Sequence, residues 1–599
     1  MKEKNVFIDL YSYMWKFSKG FHSLIIFQNI LFTIANIIDA ISPLILAALL
    51  NSIQKYGVSQ ENIWFLMGML GLMLLTELGF WAFHGPARVV ESNNAFKIQA
   101  NYKNYLLQGI TKLPASWHTI NHSGDTIDKV EQSSRALYDF SAQSYEITQF
   151  IVKFTTAYIA LIYFNIQATY ISLIFIFGVF YSIKTFDKKI IPRYKQQNKF
   201  GNKISEKIYD TISNIITVII LRIRKPLLKI IGKSINDPRE YHLKTNKLNE
   251  FKWFVTSLFV LGMSITIIGT YIWASLKNGN IVMVGTISAL FGYSSRIGGE
   301  FYRFTFKYGQ LTRYRTRITN AEEISNNFIE KNFITKEIKL TNWKKIQVNT
   351  LNFTYEDEEN KNKKHLDGIN FFIKRKSRIA FIGASGSGKT TALKIIRELY
   401  AANDYEILLD GKILKNGLGK LQNNISLIPQ EPELFSTTIR NNITLEIPCN
   451  TKKLMKYVEL AKFSEVVKKL PRGLNSSIRE KGVNLSGGEK QRLALARGLL
   501  ASENKEIILL DEPTSSVDPK TELEIHKAVF TEFKNKTIIS SIHRLHLLPL
   551  FDHIYLFKGG KIIGDGKYND LKKTSETFQI MLKKYQQSEI RKELKKIKN

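Results

Sequence analysis

RIAFIGASGSGKTTALKIIRELY, residues 378–400, decides the fold of the second half of this chain. RIAFIG reads as a short apolar strand, TALKIIRELY as a helix with apolar positions at helical spacing, and the eight residues between them are GASGSGKT. Gly383, Ala384, Ser385, Gly386, Ser387, Gly388, Lys389 and Thr390 fit the pattern G-x-x-x-x-G-K-[ST] in the strand–loop–helix context the pattern requires. Glycines let the main chain close around phosphate oxygens, and the N–H groups opening the helix face an anion. Lys389 then offers a cation to the terminal phosphates, the Thr390 hydroxyl is placed for Mg²⁺, and Thr391 follows on the same turn.

Two further stretches lie downstream. IILLDEPTSSVD, residues 507–518, is an apolar run suited to a buried parallel strand that ends in adjacent carboxylates. Side chains alternate along a strand, so Asp511 can face a metal while Glu512 points elsewhere and acts on water. NLSGGEKQRLALARG, residues 484–498, opens a helix on Gly487 and Gly488 and makes a second anion site in a domain that already has one.

Upstream, six mostly apolar stretches fall at 21–53, about 63–90, 147–164, 168–186, 251–276 and 280–295, which predicts six membrane helices. The loops after the second and fourth are long and basic, including Lys97, Lys103, Lys188, Arg193, Arg222 and Arg224. Those after the first, third and fifth are short and nearly uncharged, which places the long loops and both termini in the cytoplasm. The formal charge of +33, from 85 Lys and Arg against 52 Asp and Glu, therefore finds a place without nucleic acid as a partner. The N-terminal twenty residues lack the pattern of a signal peptide and suit an interfacial helix. A single cysteine, Cys449, excludes an intrachain disulfide framework. Within the spans, Asn36, Asp39, Glu77, Lys153, Arg296 and Glu300 are costly against lipid, and Asp39 and Glu77 are the candidates for a transport pathway.

The phosphate loop, LSGGE and the Asp–Glu pair, in this order, resemble the ATPase of the ATP-binding cassette (ABC) family, and the preceding spans resemble its exporters of the fused membrane-then-ATPase kind. The resemblance implies an α-helical six-span transmembrane domain (1–320), a linker (321–345), an α/β P-loop NTPase domain with a helical signature subdomain (346–585) and a basic tail (586–599). It implies ATP and Mg²⁺ as cofactors, with the metal held by Thr390, Gln430 and Asp511. Tyr355 would stack on adenine, Gln430 and His543 would join Glu512 and Lys389 at the γ-phosphate, and Glu480 would touch the cytoplasmic loops. Leu485, Ser486, Gly487, Gly488 and Glu489 would close over the ATP of a second ATPase domain, and Ser515, Ser516, Val517 and Asp518 would form the dimer-contact loop.

The expected function is ATP-driven export of a drug-like, lipid or peptide substrate by two half-transporters, a homodimer in the first instance and a heterodimer otherwise. The expected site is a multi-pass position in the plasma (inner) membrane, with the ATPase domain cytoplasmic. An importer of metal chelates and an ATP-gated channel or regulator remain alternatives on the same fold. The long loops are the expected couplers, with short turns near 114–124 and 208–218.

Overall fold

The computed structural model describes residues 5–121, 123–328, 338–355, 365–402, 404–414, 417–431, 433–478 and 485–598. Its residues cluster into two units, one of Met1–Lys112 with Ser123–Phe328 and one of Leu113–His122 with Ile329–Asn599.

The helices through residue 325 are α1 (Val6–Phe17), α2 (His22–Tyr56), α3 (Ile63–Ile110), α4 (Ala115–Ile120), α5 (Ser123–Ser141), α6 (Tyr145–Phe164), α7 (Ala168–Ser213), α8 (Ile215–Ile220), α9 (Arg224–Asn236), α10 (Arg239–Lys277) and α11 (Val284–Ser325). The six expected spans fall on α2, α3, α6, α7, α10 and α11, and short helices α4 and α8 stand where turns were expected. Among the described residues, five helical stretches, those holding α2, α3, α6, α7 and α10, are long and apolar enough to cross a membrane.

The sixth helix, α11, differs for a packing reason. Its first turns, VGTISALFGYSSRIGG, trade apolar bulk for small residues that bring helices close. A Cβ at Gly285 would lie 2.0 Å from the Ala47 carbonyl oxygen, and one at Gly298 would lie 2.1 Å from Val260 Cγ1. Ser294 and Ser264 hydroxyls meet at 2.9 Å across α10 and α11. Interior position, with Ala289, Leu290, Tyr293 and Ile297 buried, lowers the hydropathy of α11; α3 turns Leu74, Leu75 and Leu78 outward instead, where lipid solvates them.

The second unit holds two sheets. A four-stranded sheet runs in the order β2 (Leu366–Lys374), β1 (Lys345–Phe353), β4 (Asp404–Leu409), β5 (Lys412–Ile413). A six-stranded sheet runs in the order β10 (Lys561–Gly566), β9 (His553–Lys558), β3 (Arg378–Gly383), β8 (Thr537–Ile542), β7 (Ile507–Asp511), β6 (Ile425–Ile428). Strands β6, β7, β8, β3 and β9 are parallel, with β10 antiparallel at the edge.

The pleat of the central strands divides their side chains between two cores. Ile508 and Leu510 of β7, Ile538 and Ile542 of β8, and Ala380 and Ile382 of β3 enter one core; Ile507 and Leu509, Ile539, and Ile379 and Phe381 enter the other. This double burial is why these strands read as unbroken apolar runs. Between β6 and β7 lie α13 (Ile439–Thr444), α14 (Thr451–Leu460), α15 (Ser464–Lys469) and α16 (Gly487–Ala501), which pack Ile439, Ile443, Leu454, Val458, Val466, Leu493 and Leu499 into the first core as a helical subdomain. Helix α12 (Lys389–Ile396) follows β3, and α17 (Pro519–Glu532) follows β7. Helices α18 (Tyr568–Thr574) and α19 (Glu576–Lys598) close the chain, so the expected tail at 586–599 continues a helix that begins before it.

Candidate functional site

Parallel strands deliver their functional residues at their C-terminal ends, the side of an open α/β sheet where ligands bind. The phosphate loop follows β3, Asp511 closes β7, and His543 comes directly after β8. Gly383, Gly386 and Gly388 take φ of 149°, 75° and 107°, and a Cβ at Gly383 would lie 2.3 Å from the Phe557 carbonyl oxygen. A side chain there meets main chain that cannot yield, so the loop requires glycine.

Lys389 is 4% exposed. Its ammonium donates to the Gly383 and Ala384 carbonyl oxygens at 3.0 and 3.1 Å, over the floor of the loop. Burial pushes its pKa down, opposed by the negative charges of Glu512 and Asp511. The Thr390 hydroxyl donates to Asp511 Oδ1 at 2.8 Å. Burial pushes the Asp511 carboxyl up, and the Thr390 hydrogen bond counters it. Thr390 and Asp511 thus set a hydroxyl and a carboxylate side by side, hard oxygen donors of the kind Mg²⁺ accepts together with waters and substrate phosphates.

Glu512 stands apart from Asp511 by one residue and by direction. Its φ of 46° puts a non-glycine residue in the left-handed region, at a cost of roughly 1–3 kcal/mol. That turn brings its carboxylate between two partners: Gln430 Nε2 donates to Oε2 at 2.9 Å, and His543 Nε2 lies 2.7 Å from Oε1. The Glu512 side chain is 9% exposed and that of His543 is 42% exposed, so the pair opens to solvent through the histidine. Such a carboxylate, fixed on both oxygens and reachable by water, can polarise a nucleophile.

Ser486 caps α16. Its hydroxyl accepts from the Glu489 N–H at 3.3 Å while Glu489 Oε2 accepts from the Ser486 N–H at 2.7 Å, a reciprocal capping box that also holds the Glu489 carboxyl low. Leu485 is buried beside it. The glycine pair packs on the Ser515–Asp518 loop: a Cβ at Gly488 would lie 2.8 Å from the Ser516 carbonyl oxygen. Val517 is buried, and Asp518 caps α17 by accepting from the Thr521 N–H at 2.9 Å. Tyr355 meets Phe353, His365 and Tyr400 edge to face, with ring centroids 4.8, 4.8 and 5.1 Å away, and its hydroxyl lies 3.4 Å from Thr391 Oγ1. Glu480 lies outside the described residues.

Sequence reading missed the residues that tie these parts together. Gln491 of α16 donates to the Ser515 hydroxyl at 2.8 Å and to the Gln430 carbonyl at 3.3 Å, and accepts from the Ser516 N–H at 2.8 Å. Arg544 donates to the Val517 and Ser515 carbonyls at 2.7 and 3.0 Å and to Glu522 at 3.0 Å, and Thr514 donates to the same carboxylate at 2.9 Å. The one available signal was position, since Gln491 lies inside LSGGEKQ and Arg544 adjoins His543. Replacing Glu522 by Ala leaves Arg544 and Thr514 without their buried acceptor, and we expect a loss of about 1.5–3 kcal/mol, read as a lower thermal midpoint of the purified protein.

In the helical unit the two transport candidates separate. Asp39 receives Lys153 Nζ at 2.9 Å and Arg296 Nη2 at 3.2 Å. Glu77 is exposed on α3 and accepts from Trp81 of the same helix at 2.9 Å.

Comparison with known proteins agrees with both units. Residues 25–295 match the ABC transporter transmembrane region and residues 366–515 match the ABC transporter family, together more than two thirds of the chain. ABC transporter B family member 6 of Dictyostelium discoideum is 25% identical over 585 residues, 94% of this chain and 84% of that protein. A putative multidrug export ATP-binding/permease protein of Staphylococcus aureus is 30% identical over 342 residues, 56% of this chain and 58% of its own length. A solved bacterial Atm1-family ABC exporter with ATP bound shares the fold at a TM-score of 0.82 and 17% identity, over 94% of this chain and 99% of that one. With a transmembrane region and an intact ATPase site on one polypeptide, the chain belongs to the ABC transporter family and is a multi-pass membrane ATPase that drives transport.

Proposed function

We propose that two copies of this chain form an ATP-driven exporter of a drug-like, lipid or peptide substrate, seated in the plasma (inner) membrane with both ATPase domains cytoplasmic. The observation that carries the reading is the Gln430–Glu512–His543 constellation beside Lys389, Thr390 and Asp511. It has every group phosphoryl transfer to water needs: a cation for the leaving charge, oxygen donors and a positioned carboxylate. The Staphylococcus aureus relative, named a putative multidrug export protein, supports the direction.

Tyr355 offers its ring to the adenine, and the main chain of Gly383–Thr391 cradles the phosphates with Lys389 at their end. Thr390, Asp511 and the Gln430 amide would hold Mg²⁺, which supplies positive charge against the phosphate oxygens. Glu512 takes the proton of the attacking water, and His543 holds both that carboxylate and the γ-phosphate. Ser486, Gly487, Gly488 and Glu489 complete the partner's site, and the Ser515–Asp518 loop lies along the seam. ATP then joins the two ATPase domains and hydrolysis parts them. Support for a second copy comes from α8, which leaves Ile216, Ile219 and Ile220 exposed ahead of Arg224 and Lys225 at the start of α9, an apolar surface of the kind a partner covers.

Purified chain reconstituted in vesicles should accumulate at least one member of a panel of drug-like, lipid and peptide fluorophores against its gradient when ATP is added on the ATPase side. Equilibration without accumulation would sink the exporter in favour of a gated channel.

A further inference from the structure

The helix that precedes the first span leaves an opening beside it. α1 buries Leu10, Met14 and Phe17 against the helical unit and turns Ile8 and Trp15 outward, so it carries apolar side chains on both faces, as suits a helix lying in a membrane surface. Between α1 and the first turns of α2 runs a groove of about 450 Å³, walled by Tyr11, Met14 and Trp15 on one side and by Ile26, Ile30 and Ile34 on the other. Asp9 of α1 pairs with Arg315 of α11 at 2.9 Å, which sets the groove at the end of the spans from which the chain runs on to the ATPase domain.

The groove suits an apolar chain. From Ile25 to Ile34 it follows α2 for about 14 Å, close to half of a hydrocarbon core of ~30 Å. The two polar residues that α2 adds to it have their bonds already: Asn29 donates to the Ile25 carbonyl at 2.8 Å and accepts from Thr148 at 2.7 Å, and the Thr33 hydroxyl donates to the Asn29 carbonyl at 2.8 Å. Ile26 and Ile30 are each 52% exposed on a helix long and apolar enough to cross a membrane, so lipid is the solvent they meet.

The water end of the groove is basic. The turn at residues 18–21, which joins α1 to α2, holds Lys19, and two more cations flank it. The Lys16 ammonium lies 5.3 and 5.2 Å from the Phe17 and Tyr105 rings, and that of Lys97 on α3 lies 5.6 Å from the Phe21 ring. All three lysines are exposed. The sequence has no carboxylate between Asp9 and Asp39, and Asp9 is taken by Arg315. On α3, Glu91 is held by Arg88, by the Ser144 hydroxyl and by the Tyr145 N–H. Trp15 stacks on His22 with ring centroids 3.9 Å apart, which fixes an indole at the boundary between water and lipid.

We propose that this groove binds one acidic phospholipid of the leaflet on the ATPase side, with an acyl chain along α2 and the headgroup phosphate among Lys16, Lys19 and Lys97. The lipid is a bound ligand and not the cargo. The inference therefore needs only the spans, and a failure of export would leave it standing.

The test uses the full chain in phosphatidylcholine nanodiscs that carry a brominated guest lipid, either phosphatidylglycerol or phosphatidylcholine, and reads the quenching of Trp15 as the difference between wild type and Trp15→Phe. Brominated phosphatidylglycerol should reach half-quenching at a mole fraction about tenfold lower than brominated phosphatidylcholine, the order expected of a few lysines facing an anionic headgroup. The triple variant Lys16→Gln, Lys19→Gln, Lys97→Gln should remove that preference and leave quenching by phosphatidylcholine unchanged, and arginine at the same three positions should keep it. Mass spectrometry of the wild-type chain after detergent exchange needs no variant, and should find phosphatidylglycerol retained after phosphatidylcholine has been lost.

Equal quenching by the two lipids, or a preference that survives the triple glutamine variant, overturns the proposal. Relief of the quenching by inorganic phosphate overturns it too, since the site would then bind the anion without the chain. Absence of quenching by either lipid would put protein, such as a second copy of this chain, over the groove in place of lipid.

Discussion

Glu512→Gln should lower ATP turnover by about 10²–10⁴-fold while nucleotide still binds, because the substitution removes the base and keeps the shape. Both carboxylate oxygens are committed in the structure, Oε2 to Gln430 and Oε1 to His543. An amide can serve one of these partners as acceptor, and its NH₂ can neither take a proton nor draw electron density from a bound water. The phosphate loop and the Thr390–Asp511 pair are untouched, so affinity for ATP should persist and ATP-bound particles should accumulate as closed dimers. Turnover by the purified chain in nanodiscs, measured beside the mass of the particle, decides the matter. A variant within threefold of wild type would mean that the water is activated elsewhere, and robust wild-type turnover by a monomer would remove the two-chain site.

Lys389→Ala should cost about 10- to 100-fold in nucleotide affinity, the worth of a charge-assisted contact of ~1.5–3 kcal/mol, and should abolish turnover. Burial disfavours the charged ammonium, and two loop carbonyls with the charges of Asp511 and Glu512 hold it in place. A cation kept at that cost over the floor of a glycine loop earns its position when phosphate oxygens arrive. Titration with a fluorescent ATP analogue checks the first part. Unchanged affinity would assign phosphate binding to the loop N–H groups alone.

The candidate site of this protein is legible in its sequence because its parts are local. Gly383–Thr390, Asp511 with Glu512, and Leu485–Glu489 are each continuous stretches whose chemistry follows from neighbours one to eight residues away. The strand–loop–helix order around Lys389 and the buried run before Asp511 are found where expected. What was not legible joins residues distant in sequence. Gln491 reaches Gln430, Arg544 reaches Ser515, and Glu522 gathers Thr514 and Arg544. No periodicity records such pairs. The membrane half shows the same divide: span positions follow from hydropathy, whereas the sharing of Asp39 by Lys153 and Arg296 depends on three helices meeting. Glu77 and Asp39 looked equivalent on composition alone, and their surroundings differ: Glu77 is exposed on α3 and accepts from Trp81 of the same helix.

Leu113–His122, with α4 inside it, groups with the ATPase unit although it is flanked in sequence on both sides by the helical unit, and its Thr119 hydroxyl lies 3.4 Å from that of Tyr400. The boundary between the two working parts therefore does not coincide with a single point on the chain. Anyone exchanging ATPase domains between such transporters by cutting once, after residue 328, would leave ten residues of the old engine in the new machine. A graft that follows this grouping has three junctions, after residues 112, 122 and 328, and carries the short insert at 113–122 with the ATPase unit.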